Sequence, residues 1–268
     1  MSQRGSGAAL VTKTPTEPTS RCTAHLVAGG RYHDIDFARR ELLALLAEHD
    51  HVRSTVSSDW EDLEELLSSD FIISYTCDVR PTEEAQHEIR SWLSQGGRLV
   101  ALHGTNAALD LEGARGIEAP RCFPDWAEAL GSQFVAHPPI APYLVEMSPG
   151  GHWLTAGIAP FEVDDELYLM EYPDRDSLES LIYTRWQGEA PSFAESDWRN
   201  GPEDHLVQYL RPVEKGAVLY NTLGHCRGHW DMLPISDWYP HVERCSWDLP
   251  QYRELLRRAI RWAMGCAK

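Results

Sequence analysis

Three histidines each follow an apolar run of strand length: His33 in GGRYHD, His103 in LVALHGTN and His225 in VLYNTLGH. In a parallel sheet, ligands bind beyond the carboxyl ends of the strands, where loops differ freely while the sheet holds them. A fourth feature is DDELY, Asp164 to Tyr168, an acidic cluster set against Leu167, Leu169 and Met170. Carboxylates at the mouth of a buried strand are costly unless cations, donors or a metal pair with them. Imidazole nitrogens and one carboxylate suit a divalent Zn, Mn, Fe or Co ion with a position left open. The spacing matches no local metal motif such as HExxH, so metal binding is a hypothesis that only the folded chain can assemble.

His137 in AHPP and His152 in GHWLTAGI can add a ligand or contact substrate, and His229 in GHWD can line the same pocket. A structural or solvated role is the competing reading for all three. The turn after Leu102 is where other families carry a nucleophile on a tight elbow, and here it reads His103-Gly104-Thr105. Cys77 closes the neighbouring apolar run and Cys226 adjoins His225, which keeps a thiol mechanism as a minor alternative. Free cysteines are commonly just small buried hydrophobes.

The elements that must position these residues follow from periodicity. Residues 1–20 are rich in Gly, Ser, Thr and Pro and read as a disordered arm, leaving 21–268 as one domain. Ala24 to Ala28 reads as a strand, Gly29-Gly30 as its turn, and Phe37, Leu42, Leu43, Leu45 and Leu46 as a helix. The pattern repeats: strands at 51–56, 71–75 and 98–102, a short helix at 61–67, and a helix from Pro81 to Gly96-Gly97. Such alternation implies a parallel sheet covered on both faces. Beyond it the sequence predicts a helix at 125–130, strands at 143–147, 167–170, 180–184, 206–210 and 217–221, and a closing amphipathic helix from Tyr252 to Ala263. Residues 186–204 and 227–249 read as ordered loops over the site.

Composition excludes several classes of function. The net charge is -17, from 41 acidic and 24 basic side chains, and no dense Lys/Arg run exists, which argues against nucleic acid and anionic membranes as partners. The six cysteines show no CxxC pair, so neither a zinc ribbon nor a disulfide framework is expected. No stretch of about 18 apolar residues appears, and the start lacks the order of a signal peptide, so the expected compartment is the cytoplasm. No nucleotide cofactor is expected. The ten tryptophans leave room for a homo-oligomer without requiring one.

Taken in order, GGRYHD at 29–34, GGRLVALHGTNAAL at 96–109, GSQFVAHPP at 131–139, HWLTAGI at 152–158, DDELY at 164–168 and KGAVLYNTLGH at 215–225 resemble the ThuA-like family, named for trehalose utilisation, as does the closing RAIRWAMG. That family lies in the class I glutamine-amidotransferase-like superfamily. The resemblance implies a flavodoxin-like three-layer sandwich with a mostly parallel central sheet, a lost catalytic cysteine, and a role in bacterial carbohydrate metabolism. It also places His33, Glu166 and His225 in the pocket and His103 at or beside the former nucleophile elbow. The chain departs from the expected pattern in its polar insertion at 186–204 and its Trp- and Cys-rich stretch at 226–249.

The resulting expectation is an enzyme acting on a sugar, glycoside or keto-sugar by metal-assisted hydrolysis, elimination or isomerisation. His103, Glu166 and His225 would hold the metal, Asp165 or His33 would move protons, and Tyr168 would orient substrate. A non-catalytic sugar-binding or regulatory protein is the alternative, followed by a thiol amidotransferase or peptidase.

Overall fold

All seven residues of FIISYTC, Phe71–Cys77, are buried, as an unbroken apolar run must be when a strand is covered on both faces. The computed structural model describes residues 21–111, 113 and 115–265, and the expected arm at 1–20 lies outside them. The first part alternates strand and helix as the periodicity requires: β1 (Cys22–Gly30), α1 (Ile35–Leu46), β2 (Val52–Ser57), α2 (Leu63–Leu67), β3 (Phe71–Cys77), α3 (Glu83–Ser94) and β4 (Arg98–Leu102). From there α4 (Pro124–Leu130), β5 (Gln133–Ala136), β6 (Ala141–Met147), β7 (Phe161–Asp165) and β8 (Leu169–Glu171) follow. The chain finishes with β9 (Glu179–Arg185), β10 (Asp204–Val213), β11 (Gly216–Asn221) and α5 (Pro250–Ala263).

Nine strands form one sheet in the order β2-β1-β3-β4-β11-β10-β9-β6-β7. The first five pair in parallel, while β10 and β6 run opposite to the other seven. The sheet is therefore mostly parallel, as expected, with an antiparallel extension. β5 and β8 pair separately as a two-stranded sheet.

Strand alternation sends side chains to opposite faces, and the two cores follow from it. Leu26, Phe71, Ile73, Val100 and Leu219 pack with α1 and α5. Val27, Ile72, Leu99 and Val218 pack with α2, α3 and α4 on the other side, which makes three layers. The helices start where capping chemistry permits: Asp34 accepts from Phe37 N at 3.0 Å and Thr82 from Ala85 N at 3.2 Å. Pro124 and Pro250 occupy the first turns of α4 and α5, where the missing N–H costs nothing.

Two strands escape the sequence pattern. β7, FEVDD, alternates buried and exposed residues, and its exposed acidic positions disguise it as a turn. β5 has only four residues wedged between α4 and the bend at His137-Pro138-Pro139. The expected strand at 167–170 begins pairing only at Leu169, so Asp164 and Asp165 close β7 and Glu166 lies in the connection that follows.

Candidate metal centre

Four residues reach one point from the carboxyl ends of four strands that run the same way. His33 follows β1, His103 follows β4, His225 follows β11 and Glu166 follows β7. β7 lies at the far edge of the sheet, yet its end returns to the centre. β6 joins β9 through only two residue pairs, and the Asp165 carboxylate accepts from Gly224 N and His225 N, each at 3.1 Å. The β6–β7 hairpin thus folds back over the loop beyond β11. Gly30, at φ +105°, turns the chain out of β1 in a conformation that favours glycine.

His103 itself sits in the left-handed region at φ +46°, an unusual conformation for a residue with a Cβ. The turn is held from outside. Tyr220 Oη donates to His103 O at 2.5 Å, and Thr105 Oγ1 donates to Leu102 O at 2.7 Å. A Cβ on Gly104 would lie 2.6 Å from Thr76 O, so β3 leaves room there for glycine alone. The tight elbow anticipated after β4 is therefore present, with a histidine on it.

One donor atom from each of His33, His103, Glu166 and His225 lies within 4.8 Å of the others, and all four residues are buried. His33 Nε2 and His103 Nε2 are 2.8 Å apart. Their other nitrogens face backbone carbonyls, His33 Nδ1 at 3.2 Å from Arg31 O and His103 Nδ1 at 2.7 Å from Thr222 O. A carbonyl accepts only, so each Nδ1 carries the proton and each Nε2 turns its lone pair inward. His225 faces Glu243 through Nε2 at 2.8 Å, and its buried Nδ1 has no hydrogen-bond partner while lying 3.1 Å from Glu166 Oε1. Three imidazole nitrogens and a carboxylate are the donor set a divalent cation requires, His225 Nδ1 once it has given up its proton, with outer partners of the kind that fix ligand orientation.

The charges agree with that donor set. Burial works against the Glu166 carboxylate, but His137, His225 and His103 outweigh it and hold the group well below the usual range. Burial takes His33 down to about 3, so it is neutral at any ordinary pH. Burial also disfavours charge on His225, yet Glu166 and Glu243 overcome it and raise the imidazole to about 9. The site thus holds a positive charge beside Glu166, and a proton or a metal can supply it.

The other sequence candidates divide. His137 borders the site, with Nε2 3.7 Å from Glu166 Oε1. Tyr168 packs its ring on His103 at 4.5 Å between centroids. His33, expected to move protons, has its Nε2 inside the donor group instead. Asp165 was expected to do the same, but its carboxylate accepts from the amides of Glu166, Gly224, His225 and Ser246. That arrangement fixes backbone and leaves no free oxygen face for a substrate proton. His152 accepts from Leu154 N in the β6–β7 connection, and His229 stacks on Trp238 at 4.0 Å; neither borders the cavity over the donor group.

That cavity, about 520 Å³, is bordered by Tyr32, His137, Asp164, Glu166, Arg227 and Tyr239 among others. Arg227 and Glu243 were not singled out in the sequence. Arg227 bonds Glu166 Oε1 at 3.2 Å and Glu243 Oε2 at 3.1 Å, and lies over the Tyr239 ring at 5.0 Å. The only hint was their place in the Trp- and Cys-rich stretch after His225, where family-like spacing stops.

A family model described as trehalose utilisation, ThuA, matches residues 25–236. This chain belongs to the ThuA family. Among solved structures, a ThuA-like protein from Bacteroides uniformis is 17% identical with a TM-score of 0.64, over 94% of this chain and 95% of that one. Another from Parabacteroides merdae is 14% identical, also at 0.64, over 91% and 90%. A β-galactosidase from Rahnella sp. R3 shares the fold at 13% identity and 0.53, over 93% of this chain but 32% of its own. No curated protein sequence matches the chain significantly.

ThuA is a glutamine-amidotransferase-like family, so the thiols of this member bear on its chemistry. Burial takes the Cys226 thiol up to about 12, and its Sγ faces Tyr75 Oη at 3.1 Å and Asp34 O at 3.4 Å. Burial likewise raises Cys77 well above the ordinary range. Neither supplies a thiolate near neutral pH. No helix among the described residues is long and apolar enough to cross a membrane.

Proposed function

We propose that this ThuA protein is an enzyme of bacterial carbohydrate metabolism that acts on a sugar, glycoside or keto-sugar at a divalent metal held by His33, His103, Glu166 and His225. The observation that carries the reading is the convergence of three buried imidazoles and one buried carboxylate, with one donor atom from each within 4.8 Å of the others. A Zn, Mn, Fe or Co ion there supplies Lewis acidity toward a carbonyl or water oxygen. The chain's own groups do the rest. Arg227 and Glu243 hold Glu166 and His225 in place, and Tyr168 fixes the His103 ring from one side. His137, half-buried at the cavity wall, is the base positioned to take a proton from substrate. A ketone two carbons from a glycosidic carbon acidifies the C–H between them, so one such base can take that proton, the C–O bond to the leaving group breaks as the C=C bond forms, and the same imidazole returns the proton to the departing oxygen.

Elemental analysis of purified protein tests this directly. The wild type is expected to carry about one equivalent of metal, which His103→Ala and His225→Ala each lose together with activity. A metal-free wild type whose activity survives both substitutions overturns the reading.

A further inference from the structure

Five of the seven large hydrophobic side chains exposed among the described residues sit on one loop: Trp230, Leu233, Ile235, Trp238 and Val242. Single exposed apolar residues are ordinary, but a cluster of them marks a surface that is covered at some stage. No residue from 228 to 242 is buried, and neither core includes any of them.

The loop is closed at its base and free at its tip. Arg227 and Glu243 exchange backbone bonds of 3.1 and 2.8 Å. Just beyond them Tyr239 N donates to His229 O at 2.8 Å, and His229 Nδ1 donates to Tyr239 O at 2.7 Å. Above this neck the chain bonds only to itself. Ile235 N and Ser236 N both donate to Met232 O, at 2.7 and 3.1 Å, and Ser236 Oγ donates to Trp238 O at 2.8 Å. The Trp238 ring stacks on His229 at 4.0 Å and meets Trp230 at 4.8 Å between centroids. Among the described residues, no hydrogen bond or ion pair joins 230–238 to anything outside 228–239. A segment joined to the body by its ends and stiff within itself moves as a flap.

The flap stands at the mouth of the donor site. Met232 and Ile235 line the cavity over the donor group, as do Leu109 and Leu111. Pro234 and Ile235 also border an outer cavity of about 980 Å³, again with Leu109 and Leu111. Leu233, at the tip, lines neither. Closure over an empty cavity would cut Asp164 and Arg227 off from water without giving them new partners, which is costly. A ligand that meets those groups removes the cost, and burial of the apolar tip then favours the closed position.

We infer that residues 229–239 form a lid, hinged at its neck, which swings Leu233 and Ile235 onto Leu109 and Leu111 when a ligand fills the inner cavity. From the proposed function this takes only that the cavity holds a ligand; it depends on neither the sugar nor the metal. Contacts made by the tip in the closed state alone are what couple lid to ligand. For a reaction in that cavity, the closed lid excludes bulk water.

Two measurements on the full chain test the lid. In the first, protein carrying Leu111→Cys and Leu233→Cys is oxidised without ligand. A bridge needs the two Cα atoms within about 7 Å, so it forms only if the tip reaches the opposite wall. An intramolecular disulfide absent from both single variants is expected, and its failure to form overturns the lid whatever binds in the cavity. In the second, hydrogen exchange is followed with and without methyl glucoside or its keto form, Zn²⁺ being present throughout. Amides of 230–238 are expected to exchange at least about 100-fold faster than those of α5 in the free protein, and to slow at least about tenfold when the sugar binds. Leu233→Ser/Ile235→Ser is expected to lose that slowing and to weaken the sugar about tenfold, while Tm stays within about 2 °C because neither side chain is buried. A loop that exchanges as slowly as α5 in the free protein, or as fast with sugar bound as without, overturns the inference. So does a stable dimer in sedimentation that the same double substitution dissociates, since a second copy then covers the tip. A disulfide that forms in a protein binding neither sugar leaves the lid standing and removes the carbohydrate reading alone.

Discussion

His33 and His103 point their Nε2 atoms at each other across 2.8 Å, although the carbonyls behind both rings leave each Nε2 as an acceptor. Two lone pairs at that distance repel unless a cation or an extra proton lies with them. Burial of His33 makes an extra proton there unfavourable. A bound metal resolves the conflict, so its removal is expected to destabilise the fold. Chelator-stripped protein given Zn²⁺ or Mn²⁺ at about 100 times Kd gains roughly 2.7 kcal/mol, which raises Tm by roughly 5–10 °C. His33→Ala and His103→Ala are each expected to abolish the rise; a melting curve indifferent to every divalent ion in all three proteins counts against the site.

Glu243 holds Nε2 of His225 at 2.8 Å and also accepts from Arg227 and Tyr239. Carboxylates behind a ligating imidazole fix its ring and raise its basicity. Glu243→Gln keeps the shape and removes the charge, and metal affinity is expected to fall by about 10- to 100-fold while Tm of the metal-free protein changes little. Competition with a fluorescent chelator reads the affinity, and an unchanged Kd shows that Glu243 is not a positioning residue.

How far such a site was legible depends on whether the signal was local. β1, β3, β4 and α5 announce themselves because their apolar residues recur at one period over a whole element. His33, His103 and His225 were visible for the same reason, since each closes a readable strand. Glu166 was found through its acidic neighbours, but for a different geometry: the exposed acids of β7 concealed a strand whose end must fold back across the sheet. Arg227 and Glu243 lie in a loop without periodicity, and they reach the site through backbone bonds between residues 16 apart. Nothing in the local sequence encodes that return.

Asp165 separates a positioning carboxylate from a catalytic one. Its two oxygens accept four backbone N–H groups that come from three segments, at 165–166, 224–225 and 246. Asp165→Asn places an amide donor against amide donors in a fully buried position, which costs about 2–4 kcal/mol once the lost acceptor and the unsatisfied N–H groups are counted. Tm is expected to fall by roughly 5–15 °C, with metal binding weakened in step because the turn at 224–225 carries His225. A variant that keeps full stability and loses only turnover restores Asp165 to a chemical role.

Acid sensitivity of the fold is expected from two histidines outside the site. His25 lies within β1, fully buried, with Nδ1 2.7 Å from Thr55 Oγ1 and Nε2 2.9 Å from Ser57 Oγ. His205 is buried in β10 and reaches Trp186 O at 3.0 Å. Burial lowers both below the ordinary 6.5, so the folded protein resists protons that the unfolded chain accepts. Above about pH 6.5 neither state is protonated and the stability is fully present. As pH falls below 6.5 only the unfolded chain is stabilised, at up to about 1.4 kcal/mol per pH unit for each group until the folded imidazole itself titrates. Urea unfolding at pH 7.5 and 5.5 measures the loss, which is expected to shrink in His25→Gln. An equal acid loss in that variant assigns the sensitivity elsewhere, while stability that rises on acidification reverses the sign and removes both histidines from the account.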